Sequence, residues 1–251
     1  MEIIVSPKNS RVKEWKKLQL KKEREKSGKF IIEGFHLVEE VLKSDYIVED
    51  IIIGEDVEHP SFFTSMPPVK MFQVTKAIVD VLSETPSPQG IFAVCRKKKT
   101  PNNLKNYKRV LLVDAVQDPG NVGTIIRTCD AAGYDAVILG DGSVDEYNSK
   151  AIRSTQGSLF HIDVFRKNLL DVIEELKEEQ FAVYGTSLQN GKEYTLVPKS
   201  EKIALLIGNE GNGVSEEVLA QCDENVYIPI YGKAESLNVA IATSILLYHF
   251  R

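Results

Sequence analysis

The sequence lacks any apolar run of the roughly 18–20 residues that a helix needs to cross a membrane. Its first residues also lack the continuous apolar core that is typical of a secretory signal. These two absences argue against a membrane protein and against a membrane as a partner. They make the cytoplasm the expected location.

Residues that form disulfides or bind metals are few and scattered. The cysteines form no CxxC pair, and no histidine lies at metal-ligand spacing from another histidine or from a cysteine. Zinc sites and disulfide frameworks both have recognisable spacings, and neither spacing is found here. We therefore expect no metal site and no disulfides. The residues concerned are Cys95, Cys129, Cys222, His36, His59, His161 and His249.

Two common nucleotide-binding fingerprints are also missing. No GxGxxG follows the strand pattern at residues 109–114, and the glycine-rich stretch Gly208–Gly213 is not followed by lysine. These absences exclude a Rossmann dinucleotide site and a P-loop. Other ligands at the carboxyl ends of strands are still allowed.

What is present describes a soluble globular chain of 251 residues, with 43% hydrophobic and 27% charged residues. This length predicts one large or two modest domains. The net charge of −5 is uneven: Met1–Arg109 carries 20 lysines and arginines against 15 acidic residues, and the rest carries 11 against 21. A basic front half indicates a surface that faces a polyanion, although a solvated helix of mixed charge would give the same pattern.

The front part alternates strand and helix patterns, which predicts an α/β domain. A helix capped by Ser10 is predicted to run to about Arg24, followed by strands at residues 29–33, 48–53, 69–74 and 91–95. The polar, basic stretch Arg96–Asn106 contains a proline and indicates a linker. The basic side chains of the first helix that we assign to a polyanion-binding surface are Lys16, Lys17, Lys21, Lys22 and Arg24.

The C-terminal part predicts a mostly parallel sheet with helices on both faces. A helix is predicted at Thr124–Ala132 after a polar loop, and the last strand at Tyr227–Ile230. The final helix, Leu237–Tyr248, has apolar residues at helical spacing, and Ser236 stands where a hydroxyl caps free N–H groups. By pattern alone, this end of the chain predicts a well-capped buried helix or a polar ligand site beside a strand end. The apolar positions of this helix are Leu237, Ile241, Ile245 and Tyr248.

Three blocks in this part carry a resemblance. They are DAVQDPGNVGTIIRTCDAAGYDAVIL at Asp114–Leu139, LLIGNEGNGVS at Leu205–Ser215 and IPIYGKAESLNVA at Ile228–Ala240. In this order they closely resemble the SpoU/TrmH family of SPOUT-class RNA ribose 2′-O-methyltransferases. The resemblance implies S-adenosyl-L-methionine (SAM) as methyl donor, a trefoil knot and a homodimer formed through the C-terminal domain.

The front part resembles a second element of this family. The segments GKFIIEGFHLVEEVL and LSETPSPQGIFAV are similar to the small α/β domain that binds substrate ahead of many SpoU catalytic domains. This domain is similar to ribosomal proteins that bind RNA. The resulting domain prediction is an RNA-binding α/β domain at residues 1–97, a linker at 98–107 and a knotted methyltransferase domain at 108–251.

The resemblance also assigns roles to residues. Catalysis falls to Asn121, Arg127, Glu210, Ser236 and Asn238. SAM contacts fall to Gly208, Ile228 and Leu237, with Thr186 and Asn209 as weaker candidates. Arg153 and the basic first helix would contact RNA.

The sequence allows two roles for Arg127. The family proposal makes it the base that removes the 2′-hydroxyl proton, but arginine keeps its own proton at working pH. A bidentate grip on the neighbouring phosphate is the alternative. Glu210 would then orient Arg127 through a salt bridge or line the ribose pocket.

Three alternatives concern the substrate and the activity. The basic front domain favours 23S rRNA over tRNA as substrate. A non-catalytic RNA-binding factor for ribosome assembly is a rival function, and so is methylation of a base. The motif residues Asn121, Arg127, Glu210, Ser236 and Asn238 are all present, and binding alone would not need all of them.

Overall fold

The computed structural model describes residues 1–251, apart from the side chain of Ser65. The chain divides into two compact units. The N-terminal unit comprises Met1–Lys98 and Tyr147–Phe160, and the C-terminal unit comprises Lys99–Glu146 and His161–Arg251. Family resemblance placed residues 147–160 in the catalytic domain, whereas their contacts group them with the N-terminal unit. The ranges 1–97, 98–107 and 108–251 therefore stay a prediction.

The elements follow one another in an α/β order. The strands are β1 (Glu2–Ile4), β2 (Lys29–Glu33), β3 (Val48–Gly54), β4 (Lys70–Val74), β5 (Ile91–Arg96), β6 (Arg109–Val113), β7 (Ala136–Leu139), β8 (Asp163–Arg166), β9 (Ala182–Thr186), β10 (Lys192–Glu193), β11 (Ile203–Ile207) and β12 (Glu224–Tyr227). The helices are α1 (Ser10–Lys17), α2 (Lys21–Ser27), α3 (Phe35–Lys43), α4 (Lys76–Leu82), α5 (Pro119–Ala132), α6 (Ser149–Thr155), α7 (Leu169–Glu178), α8 (Glu216–Leu219) and α9 (Val239–His249). No helix in the described part of the chain is both long and apolar enough to span a membrane.

The N-terminal unit is built on a mixed sheet with the strand order β1-β4-β3-β5-β2. Strand β5 runs antiparallel to β2 and β3, whereas β1, β3 and β4 are parallel. Helix α1 packs on this sheet through Trp15, whose ring centroid lies 5.2 Å from that of Phe72. The indole Nε1 of Trp15 also donates a 2.9 Å hydrogen bond to Asp50. Burying this amphipathic face is what holds the basic helix on the domain.

The single helix predicted from Ser10 to about Arg24 is wrong, because the structure has two helices, α1 and α2. Asn9, not Ser10, caps α1. Arg24 is only 4% exposed, and its Nη1 donates hydrogen bonds to the carbonyls of Leu18 (2.9 Å) and Gln19 (2.7 Å). These carbonyls lie in the break between the two helices, where intrahelical donors are missing. Arg24 is therefore a structural residue, which corrects its assignment to the RNA surface.

The C-terminal unit confirms the predicted parallel sheet. Its strand order is β10-β12-β9-β11-β6-β7-β8, and each pairing between the described strands is parallel. Strands β6, β7 and β8 are neighbours in chain order on one side of the sheet. Strands β9, β11 and β12 come later in the chain and lie on the other side of β6. Such a reversal opens a crevice at the carboxyl ends of the strands, where α/β proteins bind ligands.

Three predicted boundaries in this unit are wrong. Helix α5 begins at Pro119, five residues before Thr124, because Asp118 caps it and proline is favoured in a first turn. The last strand is Glu224–Tyr227 rather than Tyr227–Ile230. Helix α9 begins at Val239 and is capped by Asn238, so Ser236 and Leu237 precede it.

The inward face of α9 also differs from the prediction. Ile241 and Tyr248 are each 53% exposed, whereas Leu246 and Leu247 are buried. Helix α9 itself carries apolar residues on all of its sides, so the spacing of these residues could not predict which side is buried. Of the four apolar positions predicted to face inward, Leu237, Ile241 and Tyr248 lie instead on the outer surface of the unit.

Candidate active site

Three predicted cofactor residues lie at the same edge of the parallel sheet. Thr186 ends β9, Gly208 follows β11 and Ile228 follows β12. Strand β9 pairs with both β11 and β12, so the carboxyl ends of these strands are neighbours. The hydroxyl of Thr186 donates a 3.0 Å hydrogen bond to the carbonyl of Leu206, which ties β9 to β11 at this edge.

The loop after β11 is shaped by Asn209. Its side-chain Oδ1 accepts hydrogen bonds from the N–H groups of Gly211 (2.9 Å) and Asn212 (3.1 Å), and its Nδ2 donates to the carbonyl of Ala115 (2.8 Å). Its backbone exchanges two hydrogen bonds with Gly213. Asn209 therefore closes its own loop and joins it to the loop after β6. This contact is the role that the structure shows for Asn209.

Glu210 holds the loop that leads into α5. Its carboxylate accepts hydrogen bonds from the N–H groups of Gln117 (3.1 Å) and Asp118 (3.0 Å) and from Nδ2 of Asn121 (3.0 Å). Partial burial opposes ionisation of this carboxyl, but the hydrogen bonds from Asn121, Asp118 and Gln117 lower the pKa of Glu210. Asn209 Nδ2 adds a longer contact of 3.5 Å to the same carboxylate. An ionised carboxylate with these donors is a positioning group and a poor proton acceptor.

Asn121 connects this loop to α9. Its Oδ1 accepts a 3.0 Å hydrogen bond from Nδ2 of Asn238, and the Oδ1 of Asn238 caps the N–H groups of Ala240 and Ile241. A continuous chain of hydrogen bonds therefore runs from Glu210 through Asn121 and Asn238 into the start of α9. The structure brings these three predicted catalytic residues together.

Helices α5 and α9 lie side by side and run in the same direction. Besides the Asn121–Asn238 contact, Ser244 Oγ lies 3.4 Å from Thr128 Oγ1, and Tyr248 Oη lies 3.5 Å from the carbonyl of Ala131. From one contact to the next, the residue numbers increase in both helices, so the two helices are parallel. The start of α9 is thereby fixed beside the start of α5.

Arg127 lies in the third turn of α5, because the helix begins at Pro119 rather than at the predicted Thr124. Its side chain is exposed, and no described residue forms a hydrogen bond or an ion pair with it. The expected salt bridge to Glu210 is not formed, because that carboxylate binds backbone and amide donors instead. The guanidinium is therefore available to a ligand.

Ser236 and Leu237 lie in the loop between β12 and α9. Ser236 is exposed and does not cap the helix, and Leu237 is 37% exposed. In the described chain, no hydrogen bond uses the backbone N–H or C=O groups of residues 230–237. The partly exposed apolar side chains of Ile228 and Leu237 lie at the two ends of this loop. An adenine needs main-chain partners at its edge and apolar contacts on its faces, and the loop offers both. The site therefore fits SAM.

Two residues of this site were not identified from the sequence. Asp118 caps α5 and accepts a 2.9 Å hydrogen bond from the N–H of Asn121, and Ala115 adopts a left-handed backbone with φ of 55°. The Asp-Pro pair before an apolar periodic run was a usable signal for the cap. Nothing in the sequence marks Ala115, whose carbonyl accepts its hydrogen bond from Asn209, a residue 94 positions away.

The predicted RNA-contacting residues all belong to the N-terminal unit. Arg153 lies on α6 and is partly exposed, and its guanidinium has no hydrogen-bond or ion-pair partner among the described residues. The lysines of α1 and α2 are exposed, whereas Arg24 is buried. The predicted RNA-contacting lysines among them are Lys16, Lys17, Lys21 and Lys22.

Comparison with known proteins identifies the class. Residues 108–248 match the model of the SpoU rRNA Methylase family, and residues 9–93 match the MRM3-like substrate binding domain. The chain belongs to the SpoU rRNA methylase family, which confirms the predicted family and enzyme class, a methyltransferase. The expected substrate-binding domain is likewise confirmed.

Individual relatives are similar over the whole chain. The 23S rRNA (guanosine(2553)-2′-O)-methyltransferase RlmP of Bacillus subtilis is 51% identical over 251 residues, which is 100% of both chains. The AdoMet-bound rRNA methyltransferase of Sinorhizobium meliloti is 29% identical, with a TM-score of 0.90 over 100% of this chain and 97% of that one. A solved RNA 2′-O ribose methyltransferase is 27% identical, with a TM-score of 0.82 over 99% of this chain and 97% of that one.

We expect Gly208→Ala to disrupt the cofactor loop. An added Cβ would lie 2.1 Å from the backbone carbon of Gly213, so the Asn209–Gly213 bridge would have to open. The cost in unfolding free energy should be about 1–3 kcal/mol, and the Kd for SAM should rise. Urea unfolding and calorimetric titration measure the two effects.

Gly211→Ala is the matched control for this change. Its added Cβ would meet only Asn209 Oδ1, at 3.6 Å, which is an ordinary contact. We expect near wild-type stability and SAM binding. Equal behaviour of the two variants would contradict the tight approach at Gly208.

Proposed function

We propose that this protein uses SAM to methylate a ribose 2′-hydroxyl of 23S rRNA, at the nucleotide equivalent to guanosine 2553 of the Bacillus subtilis substrate. The observation that carries the proposal is 51% identity to that enzyme over 100% of both chains. The hydrogen-bonded chain Glu210–Asn121–Asn238 supports it, because it joins three of the predicted catalytic residues.

The reaction forms a bond between the ribose O2′ and the methyl carbon and breaks the bond from that carbon to sulfur. SAM supplies the methyl group, and the 2′-hydroxyl proton leaves to water. The residues of this chain contribute chiefly by position, a factor that can supply roughly 7–11 kcal/mol. Asn121 and Asn238 fix the site between two helices, and Ser236 offers a free hydroxyl beside it.

Arg127 acts in this proposal as a phosphate clamp. Its guanidinium is exposed and unpaired within the described structure, and arginine does not release its proton at working pH. A bidentate contact to the phosphate next to the target ribose would hold the hydroxyl in line and favour loss of its proton. Glu210 is a positioning residue, because its carboxylate already accepts hydrogen bonds from backbone and amide donors.

The N-terminal unit would bind the RNA. Its exposed lysines on α1 and α2 and the unpaired Arg153 on α6 are suitable phosphate contacts. Together with the match to a substrate-binding domain, they favour a role in RNA binding rather than a solvated mixed-charge surface.

Neutralising the four lysines of α1 and α2 that we assign to RNA binding should flatten the salt dependence of RNA affinity. If each contacts one phosphate, the slope of log affinity against log salt should fall in magnitude by about 3. Fluorescence anisotropy with a 23S rRNA fragment at several salt concentrations measures this slope. The variant combines Lys16→Ala, Lys17→Ala, Lys21→Ala and Lys22→Ala.

A control variant removes the same charge elsewhere. It combines Lys43→Ala, Lys70→Ala, Lys76→Ala and Lys105→Ala, all at exposed positions. We expect this variant to keep most of the wild-type slope. Equal flattening by both variants would mean that net charge, and not the α1–α2 surface, sets the affinity.

A homodimer through the C-terminal unit is also proposed. Leu237, Ile241 and Tyr248 expose apolar surface along and just before α9, next to the residues of the site. Covering this surface would remove it from water. Light scattering at micromolar concentration should give twice the 28.1 kDa chain mass, and a monomer would contradict the proposal.

The trefoil knot and the cytoplasmic location stay predictions. The family supports the knot, and the proposed ribosomal substrate supports the location.

The proposed function is tested by mapping ribose methylation in ribosomal and transfer RNA from cells with and without the protein. We expect one 2′-O-methyl of 23S rRNA to disappear and to return with wild type but not with Arg127→Ala. Loss of a tRNA mark would instead identify a tRNA methyltransferase, and loss of a base mark a base methyltransferase. No change in any mark would favour the non-catalytic assembly factor.

A further inference from the structure

Tyr231 differs from the other tyrosines of the chain. It is 92% exposed, more than any other large apolar or aromatic side chain of the described residues. None of those residues gives its hydroxyl a hydrogen bond or its ring an aromatic or cationic partner. By contrast, the hydroxyls of Tyr107 and Tyr184 bond to Asp163 (2.7 Å) and to the Pro198 carbonyl (2.9 Å). Tyr231 therefore contributes nothing visible to the folding of the monomer.

The position of Tyr231 gives it access to the reaction site. It lies in the loop between β12 and α9, three residues after Ile228 at the strand-end edge. Three residues of chain span at most about 10 Å. The other end of the loop is fixed by Asn238, which bonds to Asn121. A free aromatic ring is thus carried on a short loop whose two ends both lie in the site.

We propose that Tyr231 stacks on a base of the substrate RNA beside the ribose that is methylated. Unpaired RNA bases are commonly bound by stacking on aromatic side chains, and such stacking needs no hydrogen-bonded partner for the ring. Lys233, two residues further along the same exposed loop, supplies a positive charge for a neighbouring phosphate. Tyr231 is a substrate-positioning residue in this account, which rests on the proposed function.

The chemistry of the ring separates this role from two others. A ring that closes over SAM would change the affinity for SAM, and a ring buried against a second copy would change the oligomeric state. Stacking on RNA changes neither of these. It changes the affinity for RNA, and it depends on the aromatic ring and not on the phenol hydroxyl.

The test compares Tyr231→Ala and Tyr231→Phe with wild type, and uses Leu196→Ala as control. Leu196 is an exposed apolar residue of the same unit, at 75% exposure. Loss of one stacked base should raise the KM for a 23S rRNA fragment about 5- to 150-fold in Tyr231→Ala. Tyr231→Phe and Leu196→Ala should stay close to wild type. The Kd for SAM and the mass by light scattering should be unchanged in all variants.

Three results would overturn the proposal. They are an unchanged KM for RNA, a raised Kd for SAM, and a lower mass by light scattering, each measured in Tyr231→Ala. The Kd of each variant for the same fragment is measured by fluorescence anisotropy. If wild type binds the fragment without methylating it, the proposed function fails, and the Kd of Tyr231→Ala still decides the stacking. If wild type does not bind the fragment, both proposals fail.

Discussion

Replacing Arg127 by alanine should reduce kcat by about 10²- to 10³-fold, which is the usual cost of removing one charged or hydrogen-bonding group from a transition state. The guanidinium is exposed and unpartnered among the described residues, so it contributes little to folding. The free energy of unfolding should therefore change by no more than about 0.5 kcal/mol. Transfer of labelled methyl groups from SAM and urea unfolding measure the two quantities.

Arg127→Lys separates the two roles considered for this residue. A phosphate clamp needs the planar fork of arginine, so lysine should restore only a small part of the activity. If the residue acts instead as a general base, lysine should serve better than arginine because the pKa of lysine is lower. The rate of the Arg127→Lys variant would then rise with pH. A lysine variant at least as active as wild type, with a new pH dependence, would refute the clamp. Arg251→Ala, at an exposed chain end, is the control for loss of an arginine charge.

Glu210→Gln should damage both activity and stability. Glutamine keeps one acceptor oxygen, but it loses the charge and the second oxygen that serve Gln117, Asp118 and Asn121. Because the site is partly open to solvent, we expect a loss of about 1 kcal/mol in unfolding free energy. The larger effect should be on kcat, about 10²-fold, because Asn121 and the start of α5 lose their anchor.

The same residue predicts a pH dependence. The hydrogen bonds lower the pKa of Glu210 in the folded state despite partial burial. Its contribution is therefore present above the unfolded-state pKa of about 4.3 and is lost as the pH falls through the lower folded-state pKa. Urea unfolding between about pH 3 and pH 7 should show a smaller loss of stability with acid in Glu210→Gln than in wild type.

An identical acid dependence in both proteins would show that the carboxylate is not held by these donors. Asn121→Ala is a useful companion, since it removes one donor to Glu210 and the link to Asn238 but leaves the carboxylate in place. We expect it to reduce activity and to keep part of the acid dependence.

Local signals in the chain were sufficient for most elements. The strand Lys29–Glu33 was predicted at its observed bounds, and the strands predicted at residues 48–53 and 91–95 each end one residue later, because continuous or alternating apolar runs between turn residues specify a strand. Helix ends were less well predicted. Asp118 and Asn238 cap α5 and α9, where Thr124 and Ser236 had been expected to mark the starts. Several residues there can cap, and the packing of the two helices selects among them.

The order and content of the three motif blocks determined the family and the set of candidate residues, because these residues serve the reaction and their types are visible in the chain. Which residues touch depended on the tertiary structure. Glu210 binds Asn121 rather than Arg127, and Arg24 is buried between two helices rather than exposed to RNA. Contacts between residues 89 positions apart, such as Asn121 and Glu210, follow from the parallel placement of β6 beside β11. The exposed face of α9 was likewise decided by packing, since a helix that is apolar on all sides carries no sequence signal for the side that faces the core.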